Sequence, residues 1–140
     1  MLGGYGAQGQ AICRELVKHP KVSEVICCGR RLEKAKRFVL KHANEKLSAS
    51  RIDLDNINEA RAVVKKVDLV INAASYIYNL RLMTACAESG VNYQDLASGH
   101  SVETMNLPDE KAIGKELELD QSFKDVGAVA LISTGEDPGI

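Results

Sequence analysis

The stretch GGYGAQG, residues 3–9, carries the spacing G-x-G-x-x-G at Gly4, Gly6 and Gly9. Glycines at this spacing allow a tight turn, a close backbone approach to a pyrophosphate, and close packing of a helix on a strand. A helix that begins at such a loop aims free N–H groups and the positive end of its dipole at phosphate. Gly4, Tyr5, Gly6, Ala7, Gln8 and Gly9 are therefore the candidate contacts of a dinucleotide. The competing explanation is a glycine-rich turn with no ligand. The helical spacing of Ile12, Cys13, Leu16 and Val17 just beyond, and the strand pattern after it, favour the cofactor loop.

The next chemistry lies at the end of that following strand. A site for NAD(H) places Asp or Glu about 20 residues beyond the loop, on the ribose 2′-hydroxyl. This chain reads CCGRRLEKAKR: Gly29 stands where the acid is expected, and Arg30 and Arg31 follow. A guanidinium grips a 2′-phosphate through charge-assisted bonds, whereas a carboxylate would repel it. The reading is NADP(H) in preference to NAD(H), with NAD(H) kept as the alternative and Arg30 the better candidate of the two arginines. Otherwise both arginines simply open a solvated basic helix with Lys34, Lys36 and Arg37. Asp53 ends a third strand pattern, where it borders an adenine or sits exposed on a loop. Ala73, Ala74 and Ser75 follow a fourth strand pattern. Small residues there let a dinucleotide pass close to the backbone, or let helix and sheet pack tightly.

These residues need a scaffold, and the pattern supplies one. Apolar residues at helical spacing mark helices over 8–19, 32–43, from Asp55 or Asn56 through Val64, and over 79–89, where Gly90 is placed to terminate. Between them lie β-rich runs at 25–28, 50–54, 67–74, 91–97 and 128–133. Residues 109–124 read as a polar helix and 98–108 as a loop. Helices and strands in alternation predict an α/β fold: a Rossmann-type, doubly wound parallel sheet with helices on both faces. Its first strand, before the glycine loop, is expected to be reduced to Met1 and Leu2.

Bulk properties fit one soluble domain of 140 residues. Lys plus Arg number 18 and Asp plus Glu 19, so net charge gives no pull toward nucleic acid or an anionic membrane. No apolar window is long enough for a membrane span. The spacings of Cys13, Cys27, Cys28 and Cys86 match no zinc pattern, and no metal is expected. They read as reduced, buried cysteines of a cytoplasmic protein, with adjacent Cys27 and Cys28 pointing to opposite faces of a strand.

Taken together, GGYGAQGQAICRELVKHP, VDLVINAASYIYNLRLMTACAESGVNYQDLAS and STGEDPGI resemble the N-terminal NAD(P)-binding domain of saccharopine dehydrogenase-like reductases, the group that includes carboxynorspermidine dehydrogenase. The resemblance implies an oxidoreductase acting on C–N bonds of amino acids, by hydride transfer to or from an imine. By position it implies pyrophosphate at Gly4, Gly6 and Gly9, the adenosine ribose at Arg30, and the nicotinamide near residues 73–75. Asp95 matches the family's acid after the strand, near the active cleft; a helix cap or loop acid explains it equally well. His100 reads as a solvated loop histidine. Tyr76 and Tyr78 either border the cleft or pack over the following helix.

The family's second, substrate-binding domain has no room in this chain. The expectation is therefore a fragment: a coenzyme domain whose amino-acid-type substrate is held by a part not present. A sheet short of its central strand exposes backbone donors and acceptors, which favours strand exchange or homo-oligomers. A stand-alone dinucleotide-sensing module is the alternative from another class. A short-chain-dehydrogenase site is excluded, because no tyrosine is followed four residues later by lysine.

Overall fold

In the computed structural model, residues 1–135 are described. Helix α1 (Ala7–Leu16) leads into strand β1 (Val25–Gly29), then α2 (Leu32–His42), β2 (Leu47–Arg51), α3 (Ile57–Val64) and β3 (Leu69–Asn72). A 3-10 turn (Tyr76–Tyr78) opens α4 (Asn79–Ser89), followed by β4 (Asn92–Asp95), a second 3-10 turn (Val102–Thr104), α5 (Asp109–Leu117), α6 (Asp120–Asp125) and β5 (Ala130–Leu131). The Rossmann-type α/β architecture is thus the one read from the alternation of periods.

All strand pairs are parallel: β1 with β2, β3 with β4, and β4 with β5. Leu2 joins the two halves, with isolated parallel bridges to Cys28 on β1 and Asn72 on β3. Its N–H donates to the Ile71 carbonyl at 2.9 Å and its carbonyl accepts from Ala73 N–H at 3.0 Å. On the other side Cys28 N–H donates to the Met1 carbonyl at 2.8 Å, and Gly3 N–H donates to the Cys28 carbonyl at 2.9 Å. The first strand is therefore present as barely more than one residue, and the order across the sheet is β2, β1, Leu2, β3, β4, β5.

The adjacent cysteines sort the two faces. Cys27 packs with Cys13, Ala35, Phe38 and Leu47 under α1 and α2. Cys28 packs with the larger cluster under α3, α4 and α6, which includes Leu2, Val64, Leu82, Tyr93 and Phe123. Burial holds Cys28 and Cys86 as thiols; Cys86 is pushed up to about 12 by burial alone.

Boundaries shift where the sequence pattern was ambiguous. The second strand runs Leu47–Arg51 rather than 50–54, because Leu47 and Ala49 alternate with serines while Ile52 and Leu54 turn inward beyond the strand end. The polar helix expected over 109–124 is two helices, tightened at the joint where Leu119 N–H donates to the Glu116 carbonyl at 3.2 Å. Asn56, rather than Asp55, caps α3 by accepting from Asn58 N–H. Gly90 ends α4 in the left-handed conformation, as its position implied. The loop over 98–108 holds a short turn stabilised by reciprocal Ser101 and Thr104 hydrogen bonds.

Candidate coenzyme site

The carboxyl ends of the parallel strands converge on either side of Leu2, where neighbouring crossovers run in opposite directions. In open α/β sheets that switch point is the ligand crevice. Here the chain ends meeting at it are the glycine loop after Leu2, Gly29 and Arg30 after β1, Ile52 and Leu54 after β2, and residues 73–75 after β3.

The tight turn of the loop falls on Gly3, a residue outside the G-x-G-x-x-G spacing. Gly3 has φ +70°, and a Cβ there would stand 2.6 Å from the Ala73 carbonyl oxygen. The sequence assigned that turn to Gly4; the structure moves it one residue back, because Gly3 is the residue leaving the sheet. Gly9 packs as closely as its place in the spacing implies, since a Cβ on it would stand 2.3 Å from the Gly3 carbonyl oxygen. Gly6 is the N-cap of α1, without a side-chain cap and with no acid in the first turn. Gly6, Ala7 and Gln8 are exposed. The helix thus presents an open, electropositive N-terminus, the feature a pyrophosphate requires.

Two cavities flank this N-terminus. One, of about 240 Å³, is lined by Tyr5, Gly6, Arg30, Ile52, Leu54 and Tyr78 among others. The second, of about 140 Å³, is lined by Gln8, Tyr76, Leu96 and Ala97. Both share Ala73, Ala74 and Ser75, so the segment after β3 forms a common wall between them. A larger cavity, of about 300 Å³, lies at the opposite, amino edge of the sheet between residues 21–26 and 66–69, away from the glycine loop.

The common wall is held by a buried polar network that the sequence pattern did not single out. Asn72 donates from Nδ2 to the Ser75 carbonyl at 2.9 Å and to Asn79 Oδ1 at 2.8 Å, and accepts from Ala74 N–H at 3.1 Å. Asn79, fully buried, also accepts from the Tyr93 hydroxyl at 3.0 Å and donates to the Ala97 carbonyl at 2.9 Å. The signal available was Asn72 itself, a polar residue closing an otherwise apolar strand.

The remaining candidates are dispersed. Arg30 lines the cavity of about 240 Å³, the larger of the pair beside the glycine loop, whereas Arg31 does not; its backbone N–H donates to the Tyr5 hydroxyl at 3.2 Å. Asp53 lines neither cavity: its side chain accepts from Asp55 N–H at 3.2 Å and pairs with Arg51 at 3.5 Å. Asp95 is 1% exposed and also lines neither cavity. Its Oδ1 accepts from Ser133 N–H at 2.7 Å, which ties β4 to the segment after β5. His100 bonds the Thr104 carbonyl at 3.1 Å and Asp109 at 2.6 Å, and the Asp109 carboxylate raises its pKa. Tyr76 borders the smaller cavity and Tyr78 the larger. Within the motif STGEDPGI, Glu136, Asp137, Pro138, Gly139 and Ile140 lie outside the described residues.

Comparison with known proteins agrees with this geometry. Residues 1–131 match the family model described as "Saccharopine dehydrogenase NADP binding domain". The chain is 25% identical over 148 aligned positions to carboxynorspermidine synthase of Vibrio cholerae, covering 98% of this chain and 36% of that protein. It is 24% identical to carboxyaminopropylagmatine dehydrogenase of Synechocystis sp., covering 100% of this chain and 35% of that protein. It therefore spans about a third of the length of these relatives. Among solved structures, apo saccharopine dehydrogenase from Saccharomyces cerevisiae superposes with TM-score 0.75 at 19% identity, over 99% of this chain and 27% of that one. Citrobacter sp. triphenylmethane reductase complexed with NADP(H) superposes with TM-score 0.60 at 16% identity, over 94% of this chain and 46% of that one. These two show the shared fold. Among the described residues, no helix is long and apolar enough to cross a membrane.

Proposed function

Since the chain belongs to the saccharopine dehydrogenase NADP-binding-domain family, we propose that it is the coenzyme-holding unit of an oxidoreductase that acts on C–N bonds of amino-acid-type substrates. Residues 1–140 form one dinucleotide-binding unit on this reading, and the substrate is held by a part of the protein outside this chain. The names of the relatives join a carboxy group to an amine, which fits reduction of an imine formed between an amine and a carbonyl.

The observation that carries the reading is the pair of cavities on either side of residues 73–75, with the open N-terminus of α1 between them. A dinucleotide has that division: two nucleoside ends joined by a pyrophosphate. The amides at Ala7 and Gln8 bind the pyrophosphate, while the Gly6 N–H closes the loop on the Gly3 carbonyl at 2.8 Å. Arg30 holds the 2′-phosphate at the rim of the larger cavity, whose apolar Ile52 and Leu54 receive the adenosine. The smaller cavity, with Ala97, receives the nicotinamide end. The coenzyme supplies or accepts the hydride; this chain's residues orient it and keep its phosphates neutralised.

The test is a titration of the purified chain with NADPH and NADH, repeated for Arg30→Ala. NADPH is expected to bind about tenfold more tightly, the scale of one charge-assisted contact at a partly exposed site. Arg30→Ala is expected to bring the two affinities together. Equal or reversed affinities in the unaltered chain would remove the role given to Arg30.

A further inference from the structure

We propose that Asp55 is a specificity-determining residue of this site: its carboxylate repels the coenzyme's 2′-phosphate drawn in by Arg30 and so moderates the preference for the phosphorylated coenzyme. The inference rests on the coenzyme reading above and concerns a residue that neither the glycine loop nor the strand ends single out.

Arg30 and Asp55 come from different crossovers, after β1 and after β2, and meet at the rim of the larger cavity. Arg30 Nη1 lies 3.9 Å from Asp55 Oδ2. Asp55 Oδ1 accepts the Tyr78 hydroxyl at 2.9 Å, and Tyr78 lines the same cavity. Asp55 N–H donates to Asp53 Oδ1 at 3.2 Å. Tyr78 thus holds one oxygen of the carboxylate beside the cavity, and the bond to Asp53 holds the Asp55 backbone. The other charges here are committed elsewhere: Asp53 pairs with Arg51 at 3.5 Å, and Arg81 pairs with Glu103 at 2.7 Å. The guanidinium of Arg81 also sits over the Tyr78 ring, 5.8 Å from its centroid.

At 3.9 Å the Arg30–Asp55 contact is longer than a hydrogen bond, so the guanidinium keeps its donors available. A phosphate carries more charge than a carboxylate and three acceptor oxygens, and it wins Arg30. It does so within a few ångströms of the Asp55 carboxylate, and that repulsion weakens binding. A coenzyme with a free 2′-hydroxyl feels no such repulsion. Asp55→Asn removes the charge yet keeps an oxygen to accept from Tyr78, so the loop retains its geometry.

The experiment uses the 140-residue chain with two probes, 2′,5′-ADP and 5′-AMP, which differ only in the 2′-phosphate. Asp55→Asn is expected to tighten 2′,5′-ADP about three- to tenfold while leaving 5′-AMP within twofold, with the gain shrinking at high salt. In an Arg30→Ala background nothing draws the 2′-phosphate to the side of Asp55, so the same substitution is expected to have less than half that effect. An equal gain for both probes, or no gain for either, would overturn the role of Asp55 while leaving the coenzyme reading intact. If the unaltered chain and Asp55→Asn bind neither probe, the coenzyme reading falls and this inference falls with it.

Discussion

The Tyr5 ring lies against Gly29: a Cβ on Gly29 would stand 2.4 Å from Tyr5 Cε1 and 2.6 Å from its hydroxyl. Gly29 is thus short of a side chain for a reason beyond the coenzyme's ribose. The aromatic of the glycine loop occupies the space and anchors that loop to the end of β1, where the Tyr5 hydroxyl also accepts from Arg31 N–H.

Gly29→Asp therefore has two expected effects, displacement of the Tyr5 ring and a carboxylate beside Arg30. NADPH affinity is expected to fall at least tenfold, as measured by titration of the folded variant. A folded Gly29→Asp chain with undiminished NADPH affinity would separate this strand end from the 2′-phosphate. Tyr5→Phe keeps the ring and removes one acceptor, so its stability is expected to fall by about 1 kcal/mol or less.

Leu2 is 3% exposed and bonded to both halves of the sheet. Leu2→Ala leaves the backbone bonds and removes the buried side chain, with an expected loss of about 2–4 kcal/mol in urea unfolding. A loss below about 1 kcal/mol would mean that the two half-sheets cohere through their helices instead.

Asn79→Ala leaves the Tyr93 hydroxyl and the Asn72 amide with one buried acceptor fewer. Unsatisfied buried groups cost about 1–3 kcal/mol each, so a loss of about 2–4 kcal/mol is expected. Because Asn72 holds the backbone of residues 73–75, coenzyme affinity is expected to fall with it. Unchanged affinity in a destabilised variant would show that the wall of the cavities is set by other contacts.

Glu116 is 2% exposed, and neither carboxylate oxygen has a hydrogen bond of ordinary geometry. Burial raises its pKa above the ordinary carboxylate value; Ser98 and Asn79 offset part of this and Asp95 adds to it. The folded state therefore favours the protonated form. Its penalty is absent below the unfolded value and grows as pH rises from there to the folded one. Thermal unfolding followed from pH 4 upward is expected to show stability falling across that window. Glu116→Gln is expected to flatten the fall and to be the more stable chain at neutral pH. A steeper decline in Glu116→Gln would reverse the assignment.

Much of this protein is legible in the chain itself. Periodicity alone distinguishes helices from strands, because each reports the face a short segment buries. Gly9 against the loop, Arg30 at a strand end and Cys27 and Cys28 on opposite faces are likewise properties of adjacent residues. The remainder depended on which distant chain ends meet at the carboxyl edge of the sheet. Gly3 takes the left-handed turn because it is the residue that leaves the sheet beside Ala73. Asp55 stands beside Arg30 because two crossovers close on one rim. Asn72, Asn79 and Tyr93 form one network because β3, α4 and β4 pack together, and Asp95 turns to Ser133 rather than into a cavity for the same reason. Such contacts join residues far apart in the chain, and only the assembled sheet brings their polar groups within bonding distance.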